Sequence, residues 1–335
     1  MYSFSLLKYC DGFKCLTLSE LSCFPAHDRD TSVTSWWSSL LSQGLEGMPM
    51  LQSLSQGLPQ LLLHQVPGVS RSLRYQQLVR NGQHFGLTAV EHSPSGWLQP
   101  SKLHCRLVDH MCGIVPVLIT SCRADFELMV RALAYRAEPV QVSPSVHGMA
   151  VDGLIHWHLA NNGTPLPKRI RLLILHEAPY GSLPASEVPG HPSEAEWLKA
   201  SSVWRLEHEL AHLATRHFWG TMRLNLFDEL VADGMGMVKA LGKFDATLFL
   251  QSLGIKHRSL SFPKTDAPRW RSYVQDLDES EQTQVLEWLC ERAQEVEQGF
   301  LASPSCFLGD QHVLTRFHWL CSQRLDKTIN SPRLS

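Results

Sequence analysis

The chain has 335 residues; 44% of them are apolar, 19% are charged, and the formal net charge is −2. This apolar content is enough for a buried core, and the length predicts about two domains rather than a disordered chain. A charge so near neutral argues against nucleic acid as a partner, because nucleic-acid binding depends on an excess of Lys and Arg. No apolar run approaches the roughly 18 residues of a membrane span, so we expect none.

The beginning of the chain and its cysteines both bear on the cellular compartment. The first residues, MYSFSLLKYCDGFKC, lack a basic stretch followed by a long apolar one, so they do not predict a secretory signal. The nine cysteines are scattered without a Cys-x-x-Cys pair, which fits reduced thiols better than a disulfide framework. We therefore expect a cytoplasmic protein.

Three regions follow one another along the chain. Residues 1–60 are rich in Ser, Leu, Gly and Gln and keep neither a helical nor a strand period, so we expect a poorly ordered segment. Residues 61–190 predict a mixed α/β region, and residues 191–335 predict a mainly helical domain. A stretch rich in Pro, Gly and Ser at 179–192 predicts a loop at the boundary between the last two regions.

Strand and helix patterns alternate in the second region. An apolar run of strand length precedes an amphipathic pattern that places Phe126, Met129, Val130 and Leu133 on one helix face. The predicted strands are 113–120, 139–142, 148–158 and 169–175, and the predicted helix is 123–137.

The third region carries helix start and stop signals. Ser193 followed by Glu196 is a capping box, which predicts the start of a helix. This helix is expected to break near 200–202 and then to continue to 217. Gly242 is suited to end a second helix over 228–241. The last two predicted helices are 277–300 and 312–325.

One motif stands out in the first of these helices: His208-Glu209-Leu210-Ala211-His212, an HExxH sequence. Residues i and i+4 of a helix share a face, so the two imidazoles can hold one Zn²⁺. Glu209 lies about 100° around the helix from His208, beside the metal, where the general base for a zinc-bound water belongs. An amphipathic helix with surface or core-edge histidines gives the same pattern by chance, so the third ligand decides between the two interpretations.

The residues after the motif restrict the third ligand. A metzincin-type third histidine is excluded, because the chain has Thr215 and Phe218 where that pattern needs Gly and His. A carboxylate from the following helix remains possible. Glu229, seventeen positions after His212, would complete a His₂Glu zinc site. Asp233, one helical turn after Glu229, would accept the N–H of a zinc-bound imidazole.

The motif resembles that of the gluzincin metallopeptidases, the thermolysin-like clan, in which HExxH is followed after a short connection by ExxxD. The wider stretch 193–275 also looks like a family of uncharacterised bacterial proteins with EHExxH and DExxAD at this spacing. The residues that carry the resemblance are His208, Glu209, His212, Glu229 and Asp233.

The resemblance implies Zn²⁺ as the cofactor, with His208, His212 and Glu229 as its ligands. It also implies that Glu209 is the general base and that Asp233 accepts the N–H of a zinc-bound imidazole. The protein would then be a zinc peptidase or related amide hydrolase, and its partner would be a peptide or small amide substrate. One residue departs from the clan's pattern, because thermolysin-like enzymes usually carry Asn before the ligand Glu and this chain has Asp228.

Other residues are candidates for contact with a substrate or its oxyanion. Arg216 continues the predicted metal face by one turn, and His217 and Tyr273 could donate hydrogen bonds to an oxyanion. Each also has a purely structural interpretation, such as a solvated cation at a helix end. Arg205, four residues before Glu209, predicts either a surface ion pair or, if buried, a charge that holds Glu209 ionised and competes with its role as base.

The predicted fold is α+β, with a small mixed sheet region followed by a mainly helical domain in which the HExxH helix packs on the ExxxD helix. Gly234 and Gly236 favour this close packing because they have no side chains. Two alternatives to an enzyme stay open at this point: a non-catalytic binding module stapled by structural zinc, and a helical interaction domain with an accidental motif. The sequence predicts no oligomeric state.

Overall fold

The structure is a computed structural model that describes residues 3–14, 16–23, 31–82, 96–156, 168–255 and 268–329. It divides the chain into two compact units. The first unit combines Met1–Pro25 with Ala178–Ser335, and the second is Ala26–Glu177. None of the helices within the described ranges has both the length and the apolar composition that crossing a bilayer requires.

The second unit contains a small mixed sheet. Its strands are β1 Leu103–His110, β2 Gly113–Thr120, β3 Gly148–His156 and β4 Lys168–His176. They lie in the order β1-β2-β4-β3, with β2 and β4 parallel and the other two pairs antiparallel. The helices of this second unit are α3 Thr31–Ser42, α4 Gly47–Gly57, the short α5 Leu73–Tyr75 and α6 Arg123–Ala134.

Helix α6 and the sheet share a core, as its amphipathic pattern predicts. Phe126, Met129 and Val130 are completely buried and belong to the same cluster as apolar residues of the strands. The helix ends at Ala134 rather than 137, because Arg136 and Ala137 have φ values of 54° and 61°, outside the helical region. Residues 139–142 form no strand, and there the prediction is wrong. Residues 157 and 158 of the third predicted strand lie outside the described ranges.

The described part of residues 1–60 is helical, where the sequence led us to expect little order. Trp37 of α3 and Leu51 and Leu54 of α4 are completely buried in the same core as α6. Short helices are marginal on their own and depend on tertiary packing for stability. The local sequence pattern of this segment is weak, and burial of these apolar side chains in the core stabilises its helices.

The first unit is mainly helical, as predicted. Two short helices precede the sheet region in sequence, and the others follow it. They are α1 Phe4–Tyr9, α2 Leu18–Cys23, α7 Glu194–Trp219, α8 Leu226–Leu241, α9 Ala246–Ser252, α10 Glu279–Ala302, α11 Pro304–Phe307 and α12 Val313–Cys321. The short 3₁₀ helices Tyr180–Ser182 and Arg269–Tyr273 contribute residues to the site described below.

The capping signals of the sequence define α7 and α8 well. Ser193 and Glu196 form the predicted capping box, and Gly220 and Gly242 end the two helices with φ values of 75° and 72°. The break predicted near 200–202 is absent, because α7 runs through it. Ser201 is buried there, and its hydroxyl accepts a hydrogen bond from the backbone N–H of Tyr180 at 2.9 Å, so a tertiary contact stabilises this turn.

The beginning of the chain packs on the helical region. The indole of Trp219 donates to the carbonyl of Lys14 at 2.7 Å, and the side-chain amide of Asn225 donates to the carbonyl of Tyr9 at 3.1 Å. The hydroxyl of Tyr9 in turn accepts from the N–H of Leu226 at 3.0 Å. Residues more than 200 positions apart therefore meet at the start of α8.

Gly236 sets the distance between α7 and α8. A Cβ atom added there would lie 2.5 Å from Trp204 Cδ1 and 2.7 Å from the Trp204 carbonyl oxygen, both on α7. The predicted role in close packing is confirmed for this glycine. Gly234 instead faces α12, where a Cβ would meet the tips of the Leu320 side chain at 3.0 and 3.3 Å.

We expect Gly236→Ala to lower the free energy of unfolding by about 1–3 kcal/mol, because overpacking against the α7 backbone outweighs the gain in helix propensity. Gly234→Ala is the matched control on the same helix. Its neighbour is the flexible end of one Leu side chain, so we expect a much smaller effect. Urea denaturation of both variants measures the difference, and equal stabilities would contradict this account of the packing.

Candidate metal centre

Three potential ligands converge between α7 and α8. His208 and His212 lie one turn apart on α7, and Glu229 lies in the first turn of α8. One ligand atom from each residue lies within 4.8 Å of the others, and all three residues are buried. The two Nε2 atoms are 3.1 Å apart. Glu229 Oε1 is 3.3 Å from His212 Nε2, and Oε2 is 3.6 Å from His208 Nε2.

Asp233 lies behind His208. Its Oδ1 is 2.7 Å from His208 Nδ1 and accepts a hydrogen bond from the indole of Trp204 at 2.8 Å. The hydroxyl of Tyr180 donates to the same oxygen and lies 2.9 Å from His208 Nδ1. Burial, followed by the charge of Asp233, raises the pKa of Tyr180 well above its ordinary value, so the hydroxyl keeps its proton. Asp233 therefore contacts the Nδ1 side of His208, and its role behind a metal-bound imidazole stays a prediction.

A ring contact and a tight backbone turn fix the position of Tyr180. It stacks on Trp204 with ring centroids 4.0 Å apart and planes 12° apart. The following residue, Gly181, has φ 58°, and a Cβ there would lie 2.8 Å from the Cα of Ser252. Only glycine fits this turn, and the turn places the Tyr180 hydroxyl within hydrogen-bond distance of Asp233.

Asp228 lies behind His212. Its Oδ2 is 3.3 Å from His212 Nδ1, and the residue is completely buried at the start of α8. Burial alone would lower the pKa of His212, but the carboxylates of Asp228 and Glu229 raise it well above the ordinary value. The residue that departs from the thermolysin-like pattern therefore supplies a second carboxylate, so that each imidazole has one behind it.

The two carboxylates determine what the centre can hold. If each Nδ1 gives its hydrogen to the carboxylate behind it, both Nε2 atoms carry lone pairs. These lone pairs then face each other and the oxygens of Glu229 across 3.1–3.6 Å. Electron-pair donors at such distances repel one another unless a proton or a metal ion lies among them, and the raised pKa of His212 lets a proton take this place in the metal-free protein. The residues present therefore fit a bound metal ion.

The formal charges around the centre leave an excess of negative charge. Asp228, Glu229 and Asp233 carry three negative charges, and Arg269, which donates a hydrogen bond to Glu229 Oε2, carries one positive charge. Three minus one leaves two negative charges with both imidazoles neutral. Buried charge is costly unless it is compensated, and a divalent ion would compensate this excess.

Glu229 also contacts two residues from the second 3₁₀ turn. Besides the hydrogen bond to Glu229, Arg269 donates from Nε to the hydroxyl of Tyr273 at 3.2 Å. The Tyr273 hydroxyl in turn contacts Glu229. Burial alone would raise the pKa of Glu229, but Arg269 and the two imidazoles hold it well below the usual range. Glu229 is therefore a carboxylate in the absence of metal.

Comparison with known protein families identifies the family of this chain. Residues 5–162 and 169–329 match a family of unknown function, DUF7005. The chain belongs to this family. No curated protein and no solved structure matches it. Because the function of the family is unknown, the match assigns no activity to this chain. The likeness to gluzincins rests on the five motif residues alone.

Glu209 of this DUF7005 member is half-buried on α7, next to His208. Its neighbour one turn earlier, Arg205, is 4% exposed, so the prediction of a surface ion pair is wrong. Arg205 donates to the carbonyls of Ala178 and Pro179 at 2.9 and 3.2 Å. Burial lowers the pKa of Arg205 to about 10, so the guanidinium stays charged near neutral pH. Electrostatic interactions with Tyr180 and Glu209 raise the pKa of Arg205 and so oppose the effect of burial.

The other predicted contact residues lie in different places. Tyr273 contacts Glu229 and Arg269, next to the ligand group. Arg216 is exposed in the last turn of α7, and His217 is half-buried with its ring 4.9 Å from that of Phe218. The contact of Arg216 and His217 with a substrate stays a prediction.

Several residues of the site carry no signal in the sequence. Tyr180 precedes His208 by 28 positions in a loop-rich stretch, and Arg269 follows Glu229 by 40. Trp204 has the pattern of an ordinary core residue, and its indole N–H contact with Asp233 cannot be predicted from periodicity. Asp228 differed from the Asn that thermolysin-like enzymes carry at this position, and this difference was its only signal. Its contact with His212 depends on the orientation of α8.

Removing the charge behind either imidazole is expected to weaken metal binding. We expect Asp233→Asn and Asp228→Asn each to lower zinc affinity by ~10–100-fold, because such partners fix the tautomer and raise the basicity of a ligand. Asp245→Asn, a change at the N-cap of α9, is the control, with unchanged zinc affinity. Competition with a chromophoric chelator measures all three. Wild-type affinity in both site variants would contradict the assigned roles.

Proposed function

We propose that this protein is a zinc-dependent hydrolase of peptide or small amide bonds, with His208, His212 and Glu229 as the zinc ligands and Glu209 as the general base. The observation that carries the proposal is the convergence of three electron-pair donors, two of them on imidazoles whose other nitrogens face buried carboxylates. Two imidazoles and one carboxylate are a known ligand set of catalytic zinc, and three protein ligands leave a further position open.

The surrounding residues support specific roles. Zinc bound here would polarise a substrate carbonyl and activate water. Glu209, half-buried and beside the ligands on α7, would take a proton from water and pass it to the leaving amine. The Tyr273 hydroxyl, beside Glu229, is a candidate donor to the developing oxyanion.

One observation favours a structural zinc instead. The exposed fractions of His208, His212 and Glu229 are only 4%, 5% and 1%. A zinc staple is buried and contributes folding free energy, so its removal unfolds the domain. A catalytic zinc must admit water and substrate at its open position. This alternative stays the second candidate.

Metal content and activity of the wild-type protein test the proposal together. The protein is purified without added metal, its metals are counted by mass spectrometry, and it is then incubated with a peptide library with and without chelator. About one zinc per chain and chelator-sensitive cleavage would support a hydrolase. Bound zinc without cleavage, with unfolding on chelation, would support the staple. No metal, even after zinc is offered, would contradict both.

Zinc binding is expected to depend on pH through His212. Its raised pKa means that the imidazole of the metal-free protein keeps its proton at pH values above ~6.5, the ordinary pKa of histidine. Zinc binds the neutral imidazole and must displace this proton. We expect the apparent affinity to fall about tenfold for each pH unit below that pKa. Chelator competition between about pH 8 and pH 6 measures the slope, and an affinity independent of pH would contradict it.

A further inference from the structure

Glu229 differs from the two imidazoles because it has two possible ligand atoms. A carboxylate gives a metal one or both oxygens, and the number decides how many positions remain for water or substrate. Both oxygens of Glu229 are near the centre: Oε1 is 3.3 Å from His212 Nε2, and Oε2 is 3.6 Å from His208 Nε2. Distance alone does not keep Oε2 away from a shared metal.

Arg269 distinguishes the two oxygens. Its guanidinium donates to Oε2 and pairs with that oxygen in a buried ion pair. Oε1 is left to face His212 Nε2. An oxygen that already accepts a charge-assisted hydrogen bond from a guanidinium is a poorer ligand for a second cation.

The guanidinium is itself held in place. Its centre lies 5.7 Å from the ring centroid of Tyr180 and 5.9 Å from that of Tyr273, and Nε donates to the Tyr273 hydroxyl. The Arg269 side chain is only 17% exposed. Because the guanidinium is planar and rigid, these contacts fix the direction of the hydrogen bond to Glu229.

We infer that Arg269 is a positioning residue that reserves one oxygen of Glu229, so that this carboxylate offers a metal a single oxygen and a coordination position stays open. The inference rests on the proposed metal site and deepens it. A site whose carboxylate is restricted in this way keeps room for water and a substrate carbonyl, as a hydrolase needs and a closed zinc staple does not.

Cobalt-loaded protein tests this inference without any assay of activity. Co²⁺ absorbs visible light more strongly in a four-coordinate than in a five-coordinate site, so the band intensity reports an added oxygen. We expect Arg269→Met to weaken the band at least about twofold, because Glu229 then binds through both oxygens. Arg269→Lys keeps a cation beside Oε2 and should keep the wild-type band. Arg271→Met, an exposed change on the same turn, is the control and should also match wild type.

The possible outcomes separate the two proposals. Wild-type protein that binds neither zinc nor cobalt would overturn the metal site itself. Cobalt bound by wild type with an identical band in Arg269→Met would overturn only the role of Arg269. If Arg269→Met does not fold, X-ray absorption of zinc-loaded wild type decides: one carboxylate oxygen at about 2.0–2.2 Å supports the inference, and two overturn it.

Discussion

Glu209→Gln is expected to retain zinc and to lose amide hydrolysis by about 10²–10⁴-fold, the usual contribution of a general base. The amide of Gln matches the shape of the carboxylate but cannot take a proton from water. Zinc content should not change, because Glu209 is not among the three converging residues. Steady-state rates on a peptide cleaved by wild type, together with metal analysis of the same samples, measure both quantities.

Glu194→Gln is the matched control for this change. Glu194 is exposed in the first turn of the same helix α7, so the substitution makes the same chemical change away from the site. We expect its rate and zinc content to equal those of wild type. Hydrolysis by Glu209→Gln at the wild-type rate would show that another group is the base.

Glu229→Ala is expected to lower zinc content at least about tenfold. The change removes the one carboxylate among the three converging residues and lowers the excess negative charge around the centre from two to one, so a dication is held less tightly. It also leaves the guanidinium of Arg269 buried without its carboxylate. Breaking a buried pair in this way also costs about 3–5 kcal/mol of folding free energy, so the variant is expected to be less stable.

A second variant separates metal loss from unfolding. Glu229→Gln keeps the volume of the side chain and a hydrogen-bond acceptor for Arg269 but removes the charge. We expect it to fold and still to lose most of its zinc, as measured by mass spectrometry beside circular dichroism. Full zinc content in both Glu229 variants and in His212→Ala would rule out these ligands.

The helices that carry the site could be predicted because their signals are local. The capping box at Ser193 and Glu196 and the C-terminal Gly242 place the predicted ends correctly. The i, i+4 spacing of His208 and His212 places both imidazoles on one face. Glu229 was reached by excluding a third histidine and counting seventeen positions beyond His212 to a carboxylate of the following helix. Gly236 permits that helix to pack closely on α7.

The rest of the site could not be predicted because it depends on long-range contacts. Periodicity shows which face of a helix is covered but not which distant segment covers it. Tyr180 arrives from a glycine-dependent turn, and Arg269 from a 3₁₀ turn after α9. Arg205 had the pattern of a surface charge, but carbonyls of the preceding loop bury it.

The sequence by itself therefore determined the HExxH motif, the helices that present it and the α+β class, since all of these follow from local spacing and periodicity. Only the tertiary structure decided that Asp228 faces His212, that Arg269 pairs with Glu229 and that the two imidazoles each have a carboxylate behind them. Those arrangements depend on the orientation of α8 against α7 and on loops packed from far along the chain. The cause is physical: buried charges are compensated by whichever groups the fold brings within hydrogen-bond distance, whatever their separation in sequence.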